Sequence, residues 1–245
     1  MKEWLEKALK KSTLSEEARM YLLGRGARSS DIERLGLVTW DSSLIDEECP
    51  DKEFEDRYGE NGSRFNDSII IPCYSPSGKL IGFEGRFFQK ERKVKAKALK
   101  HYLKPAKWVP IWVGIQGATE KIDAGANIWI VEVIFDLFAL SWVVPETDVI
   151  LSTEGASFTW SRVKYLARWS RGVIHLVYDN DETGRNAIEG WVDEGGTRKK
   201  GALELLAKAG LHNVVDIRYQ GKDPGQIWTD YGREGLERMF SHASF

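Results

Sequence analysis

Apolar and polar positions change rhythm twice along the chain. Up to about residue 45 the apolar positions recur at helical spacing in short runs. Met1 to Lys11 predicts a charged helix, Ser15 is placed to cap a segment reaching Leu23 before Gly24 and Gly26 interrupt it, and Ser30 is placed to cap Asp31 to Leu35. Farther on, Ser68-Ile-Ile-Ile-Pro72 and Lys79-Leu-Ile-Gly-Phe83 are short apolar runs joined by Ser75-Pro-Ser-Gly78, with proline and glycine where a tight reversal needs them. A β-hairpin is the expectation there. From about Ala118 the pattern becomes strand, helix, strand: Ile128 to Val131, Val149 to Leu151, Val173 to Tyr178 and Val214 to Arg218 predict strands, while Phe135 to Val143, Phe158 to Trp169 and a long stretch from Thr183 to Ala209, broken at Gly195-Gly196, predict helices. Such alternation implies a mainly parallel sheet with helices on its faces.

The expected fold class is therefore α/β, or α+β when both halves are counted: a mixed helical and hairpin subdomain over 1–117, an α/β domain over 118–235, and a tail over 236–245. With 245 residues and 42% hydrophobic content the chain can build a real core, which excludes a disordered tail. The net charge of −2 excludes a uniformly basic protein, yet the charge is unevenly spread. Between Asp31 and Glu60 eleven acids face three bases, and between Arg86 and Lys107 nine bases face one acid, Glu91. That basic run suits phosphates, although a solvated loop has the same composition. Cys49 and Cys73 are far apart and the four histidines show no ligand spacing, so the expectation is no zinc and no disulfide scaffold. No signal peptide or membrane-length apolar run is legible, which predicts a soluble, cytoplasmic protein with no membrane partner.

Ligands of open α/β sheets bind beyond the carboxyl ends of the strands, and three acids fall there. Glu132 ends the run Ile128-Trp-Ile-Val131; Asp179 ends Val173 to Tyr178, and Asp181 follows two residues later. In extended chain, positions i and i+2 share a side, so the two aspartates can present their carboxylates together. Oxygen ligands without histidine or cysteine suit Mg²⁺ or Mn²⁺. Asp181, ahead of Thr183-Gly-Arg-Asn186, is equally well placed as a helix cap, and that reading competes for the Asp-x-Asp pair taken alone. A glutamate at the end of a preceding strand makes the joint pattern more specific.

Val131-Glu132 with Phe135-Asp136, then Leu151-Ser-Thr-Glu-Gly155, then Tyr178-Asp-Asn-Asp-Glu-Thr-Gly-Arg185 resembles the TOPRIM domain of DnaG-type bacterial and phage primases. The similarity extends upstream through Tyr21-Leu22, Arg25-Gly26, Arg64-Phe65, Ile69 to Pro72, Gly82-Phe-Glu-Gly-Arg86 and Tyr102-Leu-Lys-Pro105, and downstream to Gly221-Lys-Asp-Pro224. The resemblance implies a primase RNA polymerase core that joins ribonucleoside triphosphates into short primers on single-stranded DNA. It implies that Glu132, Asp179 and Asp181 are catalytic and hold two or more Mg²⁺ or Mn²⁺ ions, with Asp136 and Asp223 as secondary acidic positions and Glu132 as a possible general acid or base. It places Arg25, Arg64 and Arg86 at template or nucleotide contacts, with Tyr102, Lys104 and Lys107 as weaker candidates; Trp108 and Trp112 are base-stacking candidates against a packing alternative. A replicative helicase would be reached through a region or protein outside this chain.

Departures from the family pattern carry their own expectations. Val133 stands where the family usually has glycine, and a β-branched residue resists a sharp strand-to-helix turn. His101 stands where a lysine often precedes the Tyr-Leu pair, and Gln220 and Gly225 where further acids are common, so the outer acidic shell is thinner. The family's zinc module is not legible, which suggests a trimmed core or a minimal form from a phage or mobile element. Two other readings use the same residues: a metal-dependent nuclease, and a non-catalytic single-stranded nucleic-acid-binding module.

Overall fold

A computed structural model describes residues 1–89, 98–103 and 109–241. Most of the basic run, together with Lys104, Lys107 and Trp108, lies outside the described residues. The N-terminal half holds α1 (Lys2–Lys11), α2 (Glu16–Gly24), α3 (Ser29–Leu35) and α4 (Lys52–Tyr58), with strands β1 (Val38–Thr39), β2 (Ile69–Tyr74), β3 (Leu80–Arg86) and β4 (Ala98–Tyr102). Ser15 caps α2 as expected, accepting the Ala18 amide at 3.3 Å. The Ser30 cap is corrected: α3 starts at Ser29, and the Asp31 carboxylate, in the helix's first turn, reaches back to the Arg28 amide at 3.4 Å. The expected hairpin is β2 and β3, antiparallel, and β1 and β4 extend it to a sheet of order β1-β2-β3-β4.

The second half holds α5 (Ala118–Asp123), β5 (Ile128–Val131), α6 (Ile134–Leu140), β6 (Val149–Ser152), α7 (Trp160–Trp169) and β7 (Ile174–Val177). It continues through α8 (Glu182–Glu189), β8 (Gly190–Val192), β9 (Arg198–Lys200), α9 (Ala202–Lys208), β10 (Val214–Asp216) and α10 (Pro224–Ser241). Strands β10-β7-β5-β6 form a parallel sheet in that order. Every residue of β5 and β7 is buried, the continuous apolar character of strands covered on both faces.

The long helix expected from Thr183 to Ala209 is a second correction. It is two helices with the antiparallel hairpin β8/β9 between them. Gly190 ends α8 at φ 84°, and a Cβ there would lie 2.4 Å from the Lys199 carbonyl, so the hairpin needs this glycine. The Asp193 carboxylate then closes the turn by accepting the amides of Gly195 (3.1 Å) and Thr197 (2.8 Å). At the C-terminus, the boundary expected at 235 falls inside α10, whose Leu236 and Met239 are buried.

Among the described residues, three apolar clusters fill the layers. Trp4, Trp40, Phe54, Phe65 and Phe83 pack on one face of the antiparallel sheet; Ile128, Leu151, Leu166, Leu176 and Leu206 pack on one face of the parallel sheet. The third cluster joins the halves, with Leu22, Ile32, Ile69 and Ile71 against Ile134, Leu137, Phe138 and Leu236. Isolated bridges Tyr74 to Trp112 and Val113 to Ser152 carry the chain from β2 across to the end of β6. Trp112, fully buried, follows the packing alternative rather than base stacking. The carboxyl edge of the parallel sheet is thereby fixed beside the antiparallel sheet.

Candidate active site

Neighbouring parallel strands deliver the first two acids. Val131 of β5 is in register with Val177 of β7, so Glu132 and Asp179 leave the sheet side by side. Val133 adopts φ −134°, ψ 163°, ordinary extended backbone that a β-branched residue favours, so the turn into α6 occurs without a glycine. The resistance expected of Val133 does not arise in this backbone.

Asp181 caps α8, with one carboxylate oxygen accepting the Gly184 amide at 2.9 Å. Capping and proximity to the other acids therefore coexist in one side chain. Gly184 is needed by close approach: a Cβ would stand 2.0 Å from the Asp179 carbonyl. Between the two aspartates, Asn180 fastens the loop after β10: its amide donates to the Lys222 carbonyl (2.7 Å), and its Nδ2 donates to the carbonyls of Tyr219 (3.2 Å) and Gly221 (3.1 Å). The Tyr219 hydroxyl donates to the Tyr178 carbonyl at 2.8 Å from the same loop. These bonds bring Asp223 to the site, where its Oδ1 accepts the Gln226 amide at 2.6 Å at the start of α10.

Asp136 behaves differently. It is 1% exposed, and both of its oxygens accept backbone amides, Oδ1 from Gly225 (2.9 Å) and Oδ2 from Val133 (3.3 Å). It ties the start of α6 to the start of α10, behind the other acids.

The electrostatics follow from packing like charges in a half-buried cleft. Burial pushes Glu132 up to about 7, with Asp179, Asp181 and Asp223 adding to the rise and Lys100 opposing it. Burial pushes Asp179 up to about 6, helped by Asp223 and Asp181 and opposed by Lys222. Asp136 is raised well above the usual range, first by burial and then by Asp179 and Asp223. Tyr219 also holds its proton more tightly, first through burial and then through the carboxylates of Asp136, Asp179, Asp223 and Glu132. Glu132 Oε2 and Asp179 Oδ1 are buried and have no hydrogen-bond partner among the described residues. Crowded, desolvated carboxylates with unpartnered oxygens fit a hard divalent cation, which would remove the repulsion and satisfy both atoms. Among the described residues no three acid, histidine or cysteine side chains gather around one point, so such an ion would draw further oxygens from water or phosphate.

Two of the expected phosphate contacts converge. The guanidinium groups of Arg25 and Arg86 lie over the Phe135 ring, 4.7 and 5.8 Å from its centroid. Arg64 turns instead to the Arg57 carbonyl at 2.8 Å, at the end of α4. The Tyr102 backbone ends β4, paired with Gly82.

Sequence reasoning missed Glu84, Glu154 and the placement of Lys100. Glu84 is fully buried in β3, with its carboxylate 2.6 Å from Arg86 Nε and 3.2 Å from Lys100 Nζ. Glu154, in the turn after β6, lies 3.5 Å from Arg86 Nη2, and its carbonyl accepts a hydrogen bond from Lys100 Nζ. His101, the next residue along β4, packs against Phe54 at 4.7 Å on the opposite face, so Lys100 is the β4 cation that reaches the carboxylate side. The spacing of Glu84 and Arg86 carried a signal, since i and i+2 of a strand share a face, but their cross-strand partner becomes legible only once β4 is recognised.

Residues 129–227 match the family described as Toprim-like. The chain is similar to the DNA primase of Lactococcus lactis subsp. lactis, 25% identical over 245 residues, covering 94% of this chain and 36% of that one. It thus spans about a third of the length of that relative. Among solved structures it resembles the zinc-binding and RNA polymerase domains of the Aquifex aeolicus primase, with TM-score 0.71 and 20% identity over 98% of this chain and 60% of that one. It also resembles a DnaG primase catalytic domain bound to ssDNA, with TM-score 0.63 and 18% identity over 98% of this chain and 78% of that one. These likenesses establish a shared fold over nearly the whole chain.

Proposed function

The chain carries a Toprim-like domain inside the fold of a DnaG-type primase catalytic core, and from that premise we propose that it synthesises short RNA primers on single-stranded DNA by divalent-metal-dependent nucleotidyl transfer. The observation that carries the reading is the pair of buried, unpartnered oxygens, Glu132 Oε2 and Asp179 Oδ1, at the carboxyl edge of the parallel sheet. Glu132, Asp179 and Asp181 would hold Mg²⁺ or Mn²⁺, and Asp223 and Asp136 would support them from behind. When bound, the ions supply charge neutralisation for the triphosphate and acidify the attacking 3′-hydroxyl.

The protein's own residues do the positioning. Asn180 and Tyr219 hold the two acidic loops at fixed separation, so ligand oxygens need little rearrangement. Arg25 and Arg86, braced on Phe135, would meet phosphates as planar donors. The basic segment, including Lys104 and Lys107, would follow the template backbone with strong salt dependence and little base reading. No helix among the described residues is long and apolar enough to cross a membrane. The proposed setting is a bacterial or phage-infected cytoplasm, with a replicative helicase reached through a region or protein outside this chain.

The test combines labelled ribonucleoside triphosphates, single-stranded DNA and either Mg²⁺ or Mn²⁺. Oligoribonucleotides that form with the wild type and vanish in Glu132→Gln support the proposal. Template cleavage without added nucleotides would identify a nuclease instead, and DNA binding that survives Asp179→Ala without product under either metal would identify a non-catalytic module.

A further inference from the structure

Where the two sheets meet, four charged side chains among the described residues are linked: Glu84 and Arg86 on β3, Lys100 on β4, and Glu154 in the turn after β6. The two acids are almost wholly buried, whereas the side chains of Arg86 and Lys100 remain 20% and 40% exposed. Glu84 pairs with both cations. Glu154 is held from several sides: its carboxylate accepts the Ser152 hydroxyl at 2.7 Å and pairs with Arg86, while its carbonyl takes Lys100. Its backbone sits at φ 49°, a left-handed conformation that a non-glycine residue occupies only when its surroundings compel it. The same turn grips the site, because the Glu132 carbonyl accepts the Gly155 amide at 2.9 Å and the Ser152 hydroxyl at 3.3 Å.

Lys100 acts on Glu132, and the guanidinium groups of Arg86 and Arg25 meet over the Phe135 ring, a grouping of cations suited to a phosphate. Glu84 and Glu154 are the counter-ions of Arg86 and Lys100, and the formal charge of these four side chains sums to zero. We propose that Glu154, backed by Glu84, sets the phosphate affinity of this site by occupying Arg86 and Lys100 as an internal substitute for a substrate phosphate. This rests on the functional reading above and goes beyond it, since it assigns two buried acids to weakening the grip. A polymerase core that must release its template between positions gains from a weak grip, because binding strength common to every step retards departure. The phosphate could belong to the DNA strand or to a nucleoside triphosphate, and the test separates them.

The experiment compares wild type with Glu154→Gln at pH 8 without metal, by fluorescence anisotropy of a labelled oligothymidylate over a salt series and by competition with a ribonucleoside triphosphate. The substitution keeps shape and frees one positive charge. Binding about fivefold tighter is expected, with the slope of log affinity against log salt steeper by about 0.7, the value for one further phosphate of a single strand. Tightening of the oligonucleotide alone assigns the seat to the strand; tightening of the triphosphate alone assigns it to the incoming nucleotide. Either supports the proposal, provided the gain disappears when Arg86→Gln is added. Glu146→Gln, the same charge change just ahead of β6 at the opposite end of the sheet, should leave both affinities unchanged. Should Glu154→Gln fold poorly, Glu84→Gln frees the same charge and should tighten binding likewise. Unchanged affinity in both arms for variants that fold, or a gain that survives Arg86→Gln, overturns the proposal alone. No binding of either ligand by either protein overturns the functional reading with it.

Discussion

Replacing Asp136 by alanine tests how the acidic site is supported from behind. The carboxyl group is 1% exposed and accepts the Gly225 and Val133 amides. The Gly225 amide is buried, so loss of its acceptor should cost about 1–3 kcal/mol. The Val133 bond, longer and half-buried, resembles a helix cap, and its loss should cost about 1 kcal/mol. Removing a buried acid could in principle return some of this by relieving repulsion from Asp179 and Asp223. That relief is small here, because burial and those same charges already raise Asp136 well above the usual carboxylate range and so favour its uncharged form. The sum, about 2–4 kcal/mol, corresponds to a melting temperature lower by roughly 5–15 °C for a chain of this size. Thermal unfolding followed by circular dichroism in the presence of a chelator measures it. Asp136→Asn, which keeps one acceptor, should fall about midway. A drop under about 3 °C for the alanine variant would refute the assignment of Asp136 as the tie between α6 and α10.

Two other consequences follow from the same geometry. Gly184→Ala places a Cβ 2.0 Å from the Asp179 carbonyl, a backbone atom, so the Asp179 to Asp181 turn must shift; destabilisation by about 3 kcal/mol or more in denaturant titration is expected, with loss of the proposed primer synthesis, and a variant of wild-type stability would contradict the described turn. The metal-free protein should lose stability as pH rises from about 4 to 8. Glu132 (about 7), Asp179 (about 6) and Asp136 (raised) bind protons more tightly folded than unfolded, so their contribution is complete below the ordinary carboxylate range and is lost as pH passes through the folded values. Melting temperatures across that range should fall in chelator and flatten when Mn²⁺ is present; a rise with pH in chelator would sink the electrostatic description.

Much of this site was legible from residues alone, for a physical reason. Parallel strands buried on both faces are short unbroken apolar runs, so β5 was delimited correctly from Ile128 to Val131 and Glu132 emerged as its carboxyl-end acid. The Asp179 and Asp181 pair was legible because it follows the same kind of run in β7. What stayed hidden depends on pairing between distant segments. β8 and β9 are three residues each, too short to show a period. Asp136 looked like a further metal position, whereas its oxygens are engaged by amides, one of them from a glycine 89 residues away. Glu84 and Glu154 come to share Arg86 and Lys100 only when β3, β4 and the turn after β6 meet at the junction of the sheets. Val133 differs from the expectation because the turn into α6 is made with extended backbone at this position, which a β-branched residue adopts without strain.

The most direct measurement of the metal site is the binding of Mn²⁺ to the wild type, Glu132→Gln and Asp179→Asn by electron paramagnetic resonance. The wild type should take up the ion, and each variant should bind at least about tenfold more weakly while keeping the wild-type circular dichroism spectrum. Absence of Mn²⁺ binding by the wild type, or equal affinity in both variants, would contradict the assignment of Glu132 and Asp179 as the ligands around which this site is built.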